Sequence, residues 1–322
     1  MTTVTFLTPV QENIIRVEER MRAQTELDSH PDLRNALDQL LASGGKRVRP
    51  TVVLLAGGML DADVDKLITL GAAVEMLHTA TLVHDDLIDS ALLRRGMATL
   101  NSKWSPAATV LTGDFLFARA ARLASDIDNV ALMKKFAETL AVIVNGELTQ
   151  LFAAHGVVNR QNYYNRIYAK TASLFEMSAL SAGMLGTNDL VLQDALRIYG
   201  YQLGMAFQMV DDILDFTGDQ LVVGKPLGSD LLQGLVTLPA IFYAELHPED
   251  PDVKTLLAGN WQDEASMQRL VNAIRSSKAI ELAMHEASSH IENALDALLS
   301  FPISVEREAL VDLARYVIDR RV

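Results

Sequence analysis

Cysteine is absent from this chain of 322 residues. That excludes a disulfide framework, a thiolate metal site and a cysteine nucleophile. It also suits a reducing compartment, so a cytoplasmic location is expected. Proline is scarce, at 9 residues, and no long polar tract reads as a linker. Cationic residues are outnumbered, with 28 Lys and Arg against 41 Asp and Glu, for a net charge of −13. An acidic surface disfavours nucleic acid and anionic membranes as partners. The opening MTTVTFLTPVQENII lacks a basic region followed by an apolar run, so no signal peptide is expected. The apolar stretch 67–83 is interrupted by Glu75 and His78, and no transmembrane segment is expected. Strand-type alternation is missing too.

What the chain does have is helical periodicity. Apolar residues recur at three- and four-residue spacing in 10–27, 65–90, 127–152, 190–216 and 278–299. Ser29-His30-Pro31, Ser105-Pro106 and Phe301-Pro302-Ile303 place proline near a first turn. The breakers are Gly44-Gly45, Thr217–Gly228 and HPEDP (247–251). With 49% hydrophobic residues to fill a core, the expectation is all-α: a single domain, 1–322, of roughly a dozen helices.

Two segments share one spelling. HDDLID (84–89) contains Asp85, Asp86 and Asp89, and DDILD (211–215) contains Asp211, Asp212 and Asp215. Each follows an apolar helical run. On a helix the first and last aspartate of each set stand at i and i+4, about 6 Å apart, and repel by about 0.2–0.5 kcal/mol. A divalent cation removes that conflict. Carboxylates without His or Cys select a hard ion, and Mg2+ uses one or two of them together with water and substrate phosphate. One such motif alone reads as a solvated helix end; two copies argue for a pair of ion sites. Cations accompany them: Lys46, Arg47 and Arg49 in GGKRVRP (44–50), Arg94-Arg95, Lys170 and Lys225. Acidic clusters with separate basic groups suit two phosphorylated ligands bound side by side.

These segments resemble the trans-isoprenyl (polyprenyl) diphosphate synthase family. The resemblance runs from GGKRVRP through HDDLIDSALLRRG, GDFLFA (113–118), KTASLF (170–175) and FQMVDDILDFTG (207–218) to GKPLGSDLLQGLVTLP (224–239). It implies the isoprenoid synthase fold, helices around a deep central cavity, in a homodimer. It implies that Asp85 and Asp89, with Asp86, bind Mg2+ on an allylic diphosphate. Asp211 would bind a further Mg2+, with Asp212 and Asp215 supporting, for three ions in all. Arg94, Lys170 and Lys225 would hold the allylic diphosphate. Lys46, Arg49, His78 and Arg95 would hold isopentenyl diphosphate. Thr171 and Gln208 would sit near the reacting carbons. A lysine common after the GKPxGxD stretch is replaced here by Gln233-Gly234-Leu235.

The implied chemistry is ionisation of an allylic C–O bond, attack by an alkene and loss of a proton. It needs no protein nucleophile, and none is apparent. Product length would depend on the wall before the first cluster. Ala80 lies about 7.5 Å below Asp85, and Leu77 and Val74 about 12 and 16 Å below. Ala80 and Thr81 are too small to block a growing chain, so a product of C20 or longer is expected. Phe115 and Phe117 are alternative plugs. The competing readings are a terpene cyclase or head-to-head enzyme, and a non-catalytic subunit. The intact DDILD and the GGKRVRP segment argue against the first, and the presence of both acidic motifs argues against the second. Arg320-Arg321 reads as a solvated tail, with closure over the diphosphates as the alternative.

Overall fold

The computed structural model describes residues 5–25, 31–42, 45–94, 96–152, 158–218 and 226–320. Among them every regular element is a helix, apart from one very short hairpin. Two compact units partition it. The first comprises Met1–Thr139, Leu174–Gly200 and Leu298–Asp312; the second comprises Leu140–Ser173, Tyr201–Ala297 and Leu313–Val322.

The first unit is built on α1 (Gln11–Ala23), α2 (Pro31–Ala42), α3 (Val48–Gly58) and α4 (Val64–Ile88). After the hairpin β1 (Leu93–Arg94) and β2 (Met97–Ala98) comes α5 (Pro106–Asp126). Helix α4 starts where Asp63 caps it, accepting from the N–H groups of Asp65 and Lys66 at 2.9 and 3.1 Å. Its residues 67–77 are buried on every face. A helix that is apolar all round is a core helix, and α4 packs against α1, α3 and α5. By length and composition it could cross a membrane, but 78% of its most apolar window is buried inside the fold.

Glu75 breaks that apolar run, and its neutralisation is specific. Arg47 donates to Glu75 at 3.0 Å, to Glu18 at 2.9 Å and to the Leu41 carbonyl at 2.7 Å. Burial lowers the Arg47 pKa, but the two carboxylates more than offset this and hold the guanidinium charged. The backbone of Arg47 is left-handed, with φ 46° and ψ 38°, which costs a non-glycine residue about 1–3 kcal/mol. The turn thereby aims Arg47 inward while Lys46 stays exposed.

The second unit holds the end of α6 (Val130–Phe152), α7 (Arg160–Ile167) and a π-turn at Tyr168–Ala172. The π-turn leads into α8 (Ser173–Gly186), and the second unit resumes within α9 (Leu190–Thr217). Its core includes Tyr163, Met209, Ile213, Phe216, Leu231, Met267 and Leu270. Arg160 grips Glu245 with two bonds, and Tyr164 donates to Glu286.

Three sequence expectations differ from the structure. The hairpin was not expected, because two-residue strands are too short to show alternation; Gly96, at φ 76°, helps close its turn. Pro302 lies outside the final helix, which runs Val305–Asp319 and begins after Ser304, whose hydroxyl accepts from Arg307 N at 3.2 Å. The periodicity over 10–27 overshoots α1, which ends at Ala23.

Candidate active site

Within the first unit, Asp85, Asp86 and Asp89 occupy the C-terminal turn of α4. The Asp89 N–H bonds the Asp85 carbonyl at 2.8 Å, which preserves their i, i+4 relation. The negative end of the helix dipole lies here, so three carboxylates at this position reinforce one another's repulsion. Asp86 points inward, 6% exposed, and accepts from Arg94 Nε at 2.8 Å. Asp85 is half-buried and Asp89 exposed. His78, Thr81, Leu82 and Asp85 form one partly accessible face of α4, spaced as one helical stripe. Ala80, Leu77 and Val74 are fully buried, and Ala80 lies about 140° around the helix from Asp85.

His84 anchors this end of α4. Its Nε2 lies 3.0 Å from the Val110 carbonyl and 3.5 Å from Asp114, and its ring stands 5.2 Å from that of Phe117. Gly113 makes room, since a Cβ there would lie 2.2 Å from His84 Nε2. The glycine of GDFLFA is therefore a packing residue, and Phe117 is committed to His84. Arg49 is buried with its guanidinium 4.6 Å from the centre of the Phe175 ring.

Within the second unit, Asp211, Asp212 and Asp215 occupy the C-terminal end of α9, and each has a different environment. Asp211 is half-exposed and pairs with Arg320 at 2.8 Å. Arg320 also donates to the Phe207 carbonyl at 2.9 Å and lies 4.0 Å from the Phe207 ring centre. Its side chain is only 5% exposed, so the solvated tail expected at this residue is wrong: the guanidinium lies over the Phe207 ring. Asp212 is buried and accepts from Tyr163 Oη and Gln208 Nε2, both at 2.8 Å. Burial, reinforced by Asp230, raises its pKa to about 7. Burial, with the Asp212 charge, likewise pushes the Tyr163 hydroxyl well above its usual value. Asp215 accepts from Ser229 N at 3.2 Å, Ser229 Oγ at 2.7 Å and Asp230 N at 3.2 Å. It thus caps the short helix Ser229–Leu232, which follows the left-handed Gly228 at φ 70°.

Lys170 and Thr171 lie on the π-turn, a feature that often marks functional sites. Lys170 pairs with Glu147 at 3.1 Å. Close approach of the turn to α6 depends on Gly146, where a Cβ would come within 2.4 Å of Ala169 Cβ. Thr171 donates to Gln208 Oε1 at 2.6 Å. Gly234, in the segment where the expected lysine is missing, is left-handed at φ 81° and abuts Trp261. Arg95 and Lys225 lie outside the described residues.

Glu147, Tyr163 and Arg320 are the partners that sequence reasoning missed. Nothing local marks the first two. Arg320 reads in the sequence as a tail or a diphosphate-closing cation, not as the partner of Asp211. Among the described residues, no three Asp, Glu or His side chains converge closely enough to hold a metal ion by themselves. The carboxylate oxygens of Asp85 and Asp89 are donors of the type that hard cations take.

The chain matches the family model described as "Polyprenyl synthetase" over residues 30–274. It is 35% identical to the heptaprenyl diphosphate synthase component 2 of Bacillus subtilis over 308 residues, covering 95% of this chain and 88% of that one. Identity to the octaprenyl diphosphate synthase of Escherichia coli is 34% over 299 residues, 92% of each. A polyprenyl synthase from Caulobacter crescentus, solved with calcium and isoprenyl diphosphate, superposes with a TM-score of 0.90 at 34% identity, covering 99% of this chain and 98% of that one.

Proposed function

This chain belongs to the polyprenyl synthetase family and is a trans-prenyl diphosphate synthase, a prenyltransferase of the all-α isoprenoid synthase fold; from that premise we propose that it makes a long all-trans polyprenyl diphosphate. It would do so by Mg2+-dependent head-to-tail condensation of isopentenyl diphosphate with an allylic diphosphate. The observation that carries the reading is the pair of aspartate clusters, each on the C-terminal turn of a long apolar helix. The long product is supported by the heptaprenyl and octaprenyl names of its relatives and by the small side chains at Ala80 and Thr81.

Asp85, Asp89 and Asp211 are the residues that would hold Mg2+. When bound, Mg2+ supplies the positive charge that favours departure of diphosphate. Arg94, Lys170 and Lys225 bind the allylic diphosphate, and Lys46, Arg49, His78 and Arg95 bind isopentenyl diphosphate. The allylic C–O bond breaks, the alkene forms the new C–C bond, and the departing diphosphate takes the proton. The Thr171 and Gln208 oxygens face the carbon on which positive charge develops. We place the whole chain, 1–322, in one catalytic domain, acting as a cytoplasmic homodimer with no transmembrane segment.

The test is product chromatography with Mg2+, isopentenyl diphosphate and farnesyl diphosphate as starter. Products of C35 or longer are expected. A dominant C20 or C15 product would replace this reading with a geranylgeranyl or farnesyl diphosphate synthase. A second reading comes from the Bacillus subtilis relative, which is named as component 2 of its enzyme. In that case the purified chain alone would release no diphosphate.

A further inference from the structure

We propose that Asp212 is an anchor rather than a metal ligand, and that Tyr163, through Asp212 and Gln208, is a positioning residue that orients the Thr171 hydroxyl. The inference rests on the proposed placement of Thr171 and Gln208 beside the reacting carbons.

Four side chains of the second unit form one line of hydrogen bonds. Tyr163 Oη donates to Asp212 Oδ2 at 2.8 Å, and Gln208 Nε2 donates to Asp212 Oδ1 at 2.8 Å. Thr171 Oγ1 donates to Gln208 Oε1 at 2.6 Å. Tyr163 is 1% exposed and Asp212 5%, and each carboxylate oxygen already accepts from one protein donor, the buried Tyr163 hydroxyl and the half-buried Gln208 amide. Asp86, the equivalent residue of the other cluster, has instead the half-exposed Arg94 on Oδ1.

The carboxylate decides which way the Gln208 amide faces. Asp212 Oδ1 accepts from the Gln208 NH2 group, which turns Oε1 to accept from Thr171. The Thr171 proton is then committed to Gln208, and the oxygen lone pairs are what it can offer a ligand. A hydroxyl oriented as an acceptor suits a carbon acquiring positive charge. Without the anchor the amide can flip and the hydroxyl can turn its proton outward.

The helices are built to align these groups. Gln208 and Asp212 are i, i+4 on α9. Tyr163 and Thr171 are eight residues apart and would diverge by about 80° on a regular helix. A π-bulge adds one residue to a turn and takes back about 100°. The π-turn at Tyr168–Ala172 therefore brings Thr171 to the Tyr163 face. Arg166 steadies Tyr163, its guanidinium 5.5 Å from the ring centre while it donates to the Val236 carbonyl at 2.8 Å.

The test compares Tyr163→Phe and Asp212→Asn with Asp211→Asn in the full chain. Steady-state kinetics with varied Mg2+ are combined with calorimetric Mg2+ titration in the presence of a non-ionisable thio-diphosphate analogue of the allylic substrate. Tyr163→Phe and Asp212→Asn are expected to lower kcat about 10–100-fold, as loss of an orienting partner does. KM for both diphosphates and the Mg2+ half-saturation should stay within about twofold of wild type. Asp211→Asn should weaken Mg2+ binding. Tyr163→Phe keeps the ring, so thermal melting checks that packing survives. The inference is overturned if Asp212→Asn weakens Mg2+ binding as Asp211→Asn does, or if Tyr163→Phe leaves kcat unchanged. A wild-type chain without turnover would fail the functional reading instead, and the calorimetric arm would still decide whether Asp212 ligates.

Discussion

The two acidic clusters share a spelling and a place at the end of an apolar helix, but their environments differ. At the end of α4, one aspartate turns inward to Arg94 while Asp85 and Asp89 lie on the more accessible side. At the end of α9, Asp212 and Asp215 are bound by neighbouring donors, and Asp211 faces the nearly buried Arg320. The difference teaches that a five-residue motif specifies a helix face and its charge, whereas ligation depends on which oxygens the surrounding fold has already used.

The sharpest way to break this comparison is at Asp85. Asp85→Ala should lower kcat more than about 100-fold, beyond the usual cost of a supporting residue. It should leave the metal-free melting temperature unchanged or slightly raised, since repulsion worth about 0.2–0.5 kcal/mol is relieved. A marked drop in metal-free stability would show that Asp85 is a structural partner like Asp215.

Asp89 and Asp215 hold matching positions and should respond oppositely. Asp215→Ala leaves the N–H groups of Ser229 and Asp230 without their acceptor and should cost about 1–3 kcal/mol in urea unfolding. Asp89→Ala should stay within about 0.5 kcal/mol. Equal losses would erase the distinction between the clusters.

Ala80 and Ala206 both lie five residues before the first aspartate of their clusters, and both are fully buried. Ala80→Phe should shorten the product, read by chromatography, with an overpacking cost of about 1–3 kcal/mol. Ala206→Phe should carry the stability cost without the change in length. Unchanged products from Ala80→Phe would move the elongation wall to the Thr81 and Leu82 face.

The smallest effect concerns the arginine on Asp211. Arg320→Gln removes a competing cation worth roughly 1 kcal/mol for a pair exposed on one side. It should lower the half-saturating Mg2+ about fivefold. An unchanged value would mean that Asp211 keeps Arg320 while it works.

The long helices were legible because periodicity is local. The expected 65–90, 190–216 and 278–299 correspond to Val64–Ile88, Leu190–Thr217 and Ala279–Leu298. Their caps were partly legible, as at Ser105, whose hydroxyl accepts from Ala108 N at 3.3 Å. The site was legible as an inventory of chemistry, in two acidic clusters and a set of cations. Its wiring was not. Glu75 read as an interruption of an apolar run, and only the left-handed turn at Arg47 shows how that charge is satisfied. His84 and Gly113 carried no sign that one makes room for the other.

By itself, then, the sequence determined the helices, the paired aspartates and the class of chemistry, because these follow from spacing and side-chain type along a continuous stretch. Tertiary structure decided which carboxylates are spent and which lie outward. Tyr163 reaches Asp212 across 49 residues and Thr171 reaches Gln208 across 37. Such bonds form only when packing brings distant turns within hydrogen-bonding distance, and burial then forces every polar atom there to find a partner.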